Sequence, residues 1–238
     1  AYTLMVFLIS ILLGLSMGSG TVFSLQYGAG RMKALRRSIY VSAVLIGTVT
    51  IVLNIAALSF IHPILKLLQI PDDIYQMMYD YLWIIFWGIG FTFIYNFYAA
   101  LLRAIGNAVT PLYFLAISVV LNIGLDLFFI LLLDWGIKGA AIATIIAQGV
   151  SALGIMGYTY AKCPELRLHR NDLHFDRHCL KEITSFSTLT CIQQSVMNLG
   201  ILMVQGLVNS FGSMVMAAFA AAIKIDSFAY MPVQEFGN

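Results

Sequence analysis

Residues 111–133 read PLYFLAISVVLNIGLDLFFILLL, an unbroken apolar stretch in which Asp126 is the one charged residue. A helix needs about 20 apolar residues to cross the hydrocarbon core of a bilayer, which is roughly 30 Å thick. This stretch is long enough to do so. It therefore predicts a membrane-spanning helix that carries a carboxyl group, and it directs the interpretation of the rest of the chain.

Further stretches of the same length and character lie on both sides of it. Together they predict seven membrane-spanning helices, at about residues 4–25, 38–60, 76–101, 111–133, 136–160, 183–210 and 214–235. Only Asp134, Trp135 and Gly136 separate the fourth span from the fifth, which predicts a tight helical hairpin. The predicted fold is all-α and integral to the membrane.

The composition agrees with a membrane protein. Apolar residues make up 61% of the 238 and charged residues 10%, against about 45–50% and 25% in soluble domains. The net charge of +2 is too small to indicate a nucleic-acid partner. Most basic residues fall in alternate loops, which by the positive-inside rule face the cytoplasm. These residues are Arg31, Lys33, Arg36, Arg37, Arg103, Lys162, Arg167, Arg170, Arg177 and Lys181.

Asp126 is the leading candidate for a functional residue. An ionised carboxylate near the middle of a span costs about 2.5–3.5 kcal/mol on insertion scales, so it is protonated, paired or in contact with water. Asn122 lies four residues earlier and so on the same helical face. We interpret the two as a site that binds a proton or a cation. The alternative is a structural polar pair that joins helices by hydrogen bonds.

Other polar residues in the spans are weaker candidates. The short hairpin brings Thr144 toward the Asn122–Asp126 face, where its hydroxyl is a suitable hard ligand for Na⁺; alternatively, it bonds to its own helix backbone. Asn96 in the third span is a similar candidate. Several more residues either line a cavity or join helices, namely Gln193, Gln194, Asn198, Lys224 and Asp226.

The sequence contains no pattern typical of an enzyme, and we expect neither catalysis nor a cofactor. A phosphate-cradling GxxxxGK[ST] loop is absent, so ATP is not expected to drive the protein. Five residues around the 161–182 segment suggest a zinc site, but their spacing fits no zinc pattern and a solvated loop is favoured. They are Cys163, His169, His174, His178 and Cys179.

Four groups of motifs resemble the bacterial branch of the MATE (multidrug and toxic compound extrusion) family. The motifs lie in the order that the family has, after its second helix, between its fourth and fifth, in its fifth and sixth, and in its seventh and eighth. They are QYGAG at 26–30, LRAIGN at 102–107 with Pro111, NIGLD at 122–126 with GIKGAAIAT at 136–144, and VNSFG at 208–212 with AIKID at 222–226 and Pro232.

The resemblance implies twelve helices in two bundles, of which this chain would cover the second to the eighth. It implies drug efflux coupled to inward flow of Na⁺ or H⁺, by a monomer in the bacterial plasma membrane. In several members a cation site includes the residues that correspond to Asn122, Asp126 and Thr144. Another branch uses a glutamate on the seventh helix, where this chain has Gln193 and Gln194 nearby.

This resemblance also gives a domain prediction. We expect residues 1–160 to form a first bundle that lacks its first helix, residues 161–182 a cytoplasmic linker, and residues 183–238 the start of a truncated second bundle. The chain opens directly into apolar sequence at Ala1 and stops at Asn238 without a polar tail. We therefore expect an interior fragment.

Two other functions are compatible with the pattern. A flippase of the same superfamily would carry lipid-linked oligosaccharides or peptidoglycan precursors, but such a cavity is expected to hold several arginines for pyrophosphate, and no predicted span holds one. A seven-helix receptor or retinal protein also fits seven spans, with Lys224 available for a Schiff base.

Overall fold

A computed structural model describes residues 2–67, 72–168 and 177–210 of the chain. Within these residues the secondary structure is helical. The α-helices are α1 (Tyr2–Gly28), α2 (Met32–Ser59), α3 (Ile61–Leu67), α4 (Asp72–Ala104), α5 (Val109–Leu127), α6 (Gly136–Lys162) and α7 (Arg177–Ser210). A π-helical turn, Phe128–Leu132, extends α5, and a short 3-10 helix, Pro164–Leu166, follows α6.

The first six predicted spans correspond to α1, α2, α4, α5, α6 and α7, so the all-α membrane fold is confirmed. Four described segments are long and apolar enough to cross a membrane: Met32–Ser59, Tyr75–Ala104, Val109–Leu132 and Gly136–Lys162. Large apolar side chains such as Val120, Leu131 and Leu132 are more than 70% exposed on the protein surface. Such a surface is stable in contact with lipid but not with water. The seventh predicted span, 214–235, lies outside the described residues.

The chain divides into two compact units, Ala1–Cys191 and Ile192–Asn238. In the first unit α4 packs along both α1 and α6, while α5 packs mainly on α6. The core between α1 and α4 is aromatic, and the rings of Phe23 and Phe97 meet edge to face with centroids 6.0 Å apart. Such contacts between aromatic rings stabilise a helix bundle.

The start of α7 is attached to α1 and α2 within the first unit. Gly14 and Gly18, one turn apart on α1, face Cys191 and Ser187 of α7 so closely that neither glycine has room for a Cβ atom. The Ser187 hydroxyl donates a hydrogen bond to the carbonyl oxygen of Leu15 at 3.3 Å. Small residues at this spacing let helix backbones approach in membranes, which explains why α7 begins against this bundle.

Candidate functional site

The α5–α6 hairpin holds the two strongest candidate helices in register. Asp134 and Gly136 both adopt a positive φ, at 54° and 52°, and so reverse the chain within a few residues. The ring of Phe129 in the π-helical turn stacks on Trp135, with centroids 5.1 Å apart and an angle of 2° between the planes. Gly139 fits beneath them because it has no Cβ, which would stand 2.9 Å from Phe129 Cβ.

This hairpin brings Asn122 and Thr144 together. The Asn122 amide donates from Nδ2 to Thr144 Oγ1 at 3.4 Å, and the Thr144 hydroxyl donates to the carbonyl oxygen of Ala140 at 2.9 Å. The Thr144 hydroxyl therefore bonds to its own helix and also accepts from α5, while its role as a Na⁺ ligand stays a prediction. The 3.4 Å separation is longer than the usual N–H···O distance of about 2.7–3.2 Å. The pair is in contact but weakly bonded.

Asp126 follows one turn after Asn122 and is half-buried. Its Oδ1 atom is shielded from solvent, and within the described residues no hydrogen-bond donor reaches it. A π-helical turn begins two residues later, and such turns inside helices are frequent at functional sites. An ionised carboxylate oxygen that is shielded and has no donor is energetically costly, and a bound proton or cation would reduce that cost.

Asn96 is not joined to this group by a hydrogen bond in the described part of the chain. Its Nδ2 atom donates to the carbonyl oxygen of Thr92 at 2.8 Å, within α4. The amide thus satisfies its donor on its own helix.

A polar contact that the sequence interpretation missed joins α4 to α6. The Thr92 hydroxyl lies 3.3 Å from Oε1 of Gln148 and 3.4 Å from the carbonyl oxygen of Gly88. Gln148 follows Thr144 by four residues, so both share one face of α6. The signal that could have found it is an amide one turn from Thr144 in an apolar span.

The remaining sequence candidates lie on or beyond α7. Gln193 is exposed and Gln194 half-buried, both within the second unit. The Asn198 side chain, Lys224 and Asp226 lie outside the described residues, so their roles stay predictions.

Two cysteines of the 161–182 segment, Cys163 and Cys179, are buried, whereas the sequence interpretation placed them in a solvated loop. Cys179 lies in the first turn of α7, and its Sγ atom is 2.8 Å from Ser38 Oγ of α2. Burial raises the pKa of the Cys163 thiol, and the Glu165 carboxylate raises it further. His169 and His174 lie outside the described residues. Elsewhere in the described chain no three His, Cys, Asp or Glu side chains gather as metal ligands do.

Comparison with protein families gives one match, the family described as MatE, over residues 1–128. Among curated proteins, the probable multidrug resistance protein YpnP of Bacillus subtilis is 32% identical over 237 residues, which is 99% of this chain and 53% of YpnP. The probable multidrug resistance protein NorM of Thermotoga maritima is 28% identical, over 93% of this chain and 48% of NorM. The chain spans about half the length of these relatives.

Solved structures show the same fold. A crystal structure of MATE in complex with MaL6 matches 98% of this chain and 52% of its own, with a TM-score of 0.91 and 21% identity. The inward-facing conformation of a multidrug resistance MATE family transporter of the MOP superfamily matches 98% of this chain and 54% of its own, with a TM-score of 0.83 and 21% identity. At such identities the likeness establishes the fold and nothing finer.

Proposed function

This chain belongs to the MATE family, and from that premise we propose that the protein containing it exports organic, mainly cationic, drugs in exchange for Na⁺ or H⁺ by alternating access. The single observation that carries the proposal is Asp126, whose Oδ1 is shielded inside the hairpin without a hydrogen-bond donor among the described residues. Intramembrane carboxylates mark ion pathways and proton relays. Family membership leaves no place for the alternative of a receptor or retinal protein.

Asp126 would alternate between two occupied states. Protonation removes the charge of the Asp126 carboxyl group and makes it a hydrogen-bond donor, so the group can lie in a part of the helix that water does not reach. Na⁺ instead accepts oxygen ligands, and Asn122 and Thr144 offer an amide oxygen and a hydroxyl oxygen beside the carboxylate. Because Thr144 directs its proton to Ala140, the lone pairs of its oxygen stay available. Cation binding would replace the weak 3.4 Å contact between Asn122 and Thr144 by contacts to the ion.

The site also favours cationic cargo. A drug cation and the coupling ion both benefit from the same negative charge, so binding of one weakens binding of the other. Release of the drug outside and entry of the coupling ion then become linked through Asp126. Such competition for a single carboxylate gives exchange without ATP.

The distribution of basic residues argues for drugs rather than pyrophosphate lipids. In the described helices Lys and Arg lie near helix ends, as do Arg36 and Arg37 in α2, Arg103 in α4 and Lys162 in α6. A flippase for pyrophosphate-linked lipids is expected to place arginines inside its cavity. The described spans instead offer amides, hydroxyls and two carboxylates, Asp80 and Asp126, of which Asp80 is paired with Lys138.

Replacing Asp126 with Asn tests the proposal. The complete gene product that carries this sequence is expressed in a bacterial host without its own exporters, and ethidium accumulation is followed by fluorescence. Wild type should lower cellular ethidium, and dissipation of the ion gradients should abolish the effect. D126N should accumulate ethidium like the empty host at equal expression.

Asp80→Asn is the matched control. Asp80, which is 22% exposed, makes an ion pair at 2.9 Å with Lys138, which is 60% exposed, and an ion pair open to solvent contributes only about 0–1 kcal/mol. D80N should therefore export normally. If D126N lowered cellular ethidium as wild type does, Asp126 would not belong to the mechanism. If wild type did not lower cellular ethidium, the proposal of drug export would be wrong.

A further inference from the structure

The hydrogen bond between Thr92 of α4 and Gln148 of α6 can be exchanged for another one, because the hydroxyl of Thr92 has a second acceptor nearby. A threonine hydroxyl carries one proton, and here two acceptors compete for it. These are Gln148 Oε1 at 3.3 Å and the carbonyl oxygen of Gly88 at 3.4 Å. Rotation of one hydroxyl therefore frees the glutamine oxygen for another ligand while Thr92 remains bonded to its own helix.

Gln148 lies one turn from Thr144 on the same face of α6, so the two contacts lie in line along the helix with a gap between them. One turn of helix advances about 5.4 Å, a gap that one water molecule or one ion can bridge. This polar track runs from Asp126 through Asn122 and Thr144 to Gln148, and from there to Thr92. It crosses α5, α6 and α4.

Gly88 makes room for this track. A Cβ atom on Gly88 would stand 3.3 Å from Gln148 Oε1 and 3.0 Å from Ile145 Cγ1. Any larger residue would press on the glutamine oxygen, so the absence of a side chain leaves that oxygen free to approach α4. Gly90, two residues along the same helix, has open space where a Cβ would stand. The close approach is therefore local to Gly88.

We propose that Gln148 and Thr92 form a second station for the coupling ion, one helical turn from the Asp126 site, which holds a small hydrated monovalent cation through the Gln148 side-chain oxygen. This inference rests on the proposed function and names a further residue of the same route. A cation leaving Asp126 meets the next oxygen ligand at Gln148. The station itself is uncharged, so it binds the ion weakly and passes it on.

The test compares two replacements of nearly the same size. Gln148→Met keeps the length of the side chain but removes its oxygen, whereas Gln148→Glu keeps an oxygen acceptor. The complete gene product is purified and reconstituted in liposomes, and ethidium efflux is measured against increasing Na⁺ at constant pH and against increasing proton concentration without Na⁺. The two series distinguish Na⁺ from hydronium as the occupant.

Q148M should require at least about tenfold more of the coupling ion for half-maximal efflux, while its affinity for ethidium, measured by fluorescence in detergent, stays the same. Q148E should retain the wild-type ion dependence or need less ion. Ser151→Ala is the control, because Ser151 is also buried on α6 and donates to the Phe114 carbonyl oxygen of α5 at 2.9 Å. S151A should keep the wild-type ion dependence.

An unchanged ion dependence in Q148M, with D126N inactive in the same liposomes, would overturn this inference and leave the proposed function standing. Loss of efflux in Q148M and Q148E alike would also overturn it, because the oxygen would then not be the group that matters.

Thr92→Val provides a second test if Q148M does not fold. It removes the hydroxyl that holds Gln148 toward α4 and should shift the ion dependence in the same direction, and a wild-type dependence in T92V would contradict the station. An inactive wild type would end both proposals.

Discussion

Replacing Gly139 with alanine should loosen the hairpin on which the candidate site depends. The new Cβ would stand 2.9 Å from Phe129 Cβ and 3.1 Å from Trp135 Cβ, whereas carbon atoms pack best at about 3.5–4.0 Å. One of the two rings must therefore shift by about 0.5–1 Å. That shift opens the stack of Phe129 on Trp135, and with it the register that places Asn122 against Thr144.

The size of the effect follows from two opposing contributions. Overpacking of this kind costs about 1–3 kcal/mol, while alanine gains about 1 kcal/mol over glycine in helix propensity. Gly157→Ala is the matched control on the same helix, since open space surrounds the position of its Cβ. G157A receives the gain without the cost, so the two variants should differ by about 1–3 kcal/mol. One kcal/mol shifts Tm by about 2–4 °C for a domain of roughly 150–250 residues and by less for a longer chain, so a difference of about 2 kcal/mol separates their Tm values by at most about 4–8 °C.

The assay is thermal unfolding of the complete gene product in detergent, followed by tryptophan fluorescence. Trp83 and Trp87 are first replaced with Phe, so that within the described residues the signal reports on Trp135. G139A should unfold at a lower temperature than G157A, and its emission should shift because the ring leaves Phe129. Equal Tm values and identical spectra would show that the hairpin absorbs a Cβ at no cost, and would refute the packing argument.

Two further predictions follow from the same structure. Thr144→Val removes the hydroxyl that Asn122 contacts and should raise the coupling-ion concentration for half-maximal efflux several-fold. The measurement is made in liposomes with S151A as control, and an unchanged value would exclude Thr144 as a ligand. Burial and Glu165 raise the pKa of the Cys163 thiol, so its thiolate forms only at higher pH. In a variant with Cys163 as its sole cysteine, maleimide labelling of the folded protein should therefore need a more alkaline pH than labelling of the SDS-unfolded protein. Equal pH profiles would contradict the raised pKa.

The sequence was sufficient for the helices because each span must bury its backbone polar groups within itself. Apolar length therefore located α5 and α6 and the turn between them, and Pro71 marked the point after which α4 begins at Asp72. Apolar length did not locate the ends. The structure continues α2 back to Met32, since the helix extends past the hydrocarbon into the polar boundary where Arg36 and Arg37 are tolerated.

The features that the sequence did not predict depend on contacts between helices. Periodicity along α6 places Thr144 and Gln148 on one face, but only the packing of α4 shows that Thr92 meets Gln148. The short helix α3 was missed because its seven residues are fewer than a span requires. The burial of Cys179 was missed for a similar reason, since its partner Ser38 is 141 residues away in the sequence.

The hydrogen-bond pattern of the spans separates Asp126 from the threonines. Several threonine hydroxyls satisfy themselves locally, as Thr50 and Thr159 do by donating to the carbonyl four residues earlier, at 2.7 and 2.8 Å. An ionised carboxylate has no such option, because it only accepts hydrogen bonds and the backbone N–H groups in the middle of a helix are already used. Asp126 must therefore obtain its partner from outside its own helix, as a proton, a cation or a donor on another helix. Each of these partners can leave, and for that reason a carboxylate in this position is suited to exchange, whereas a threonine bonded to its own backbone is not.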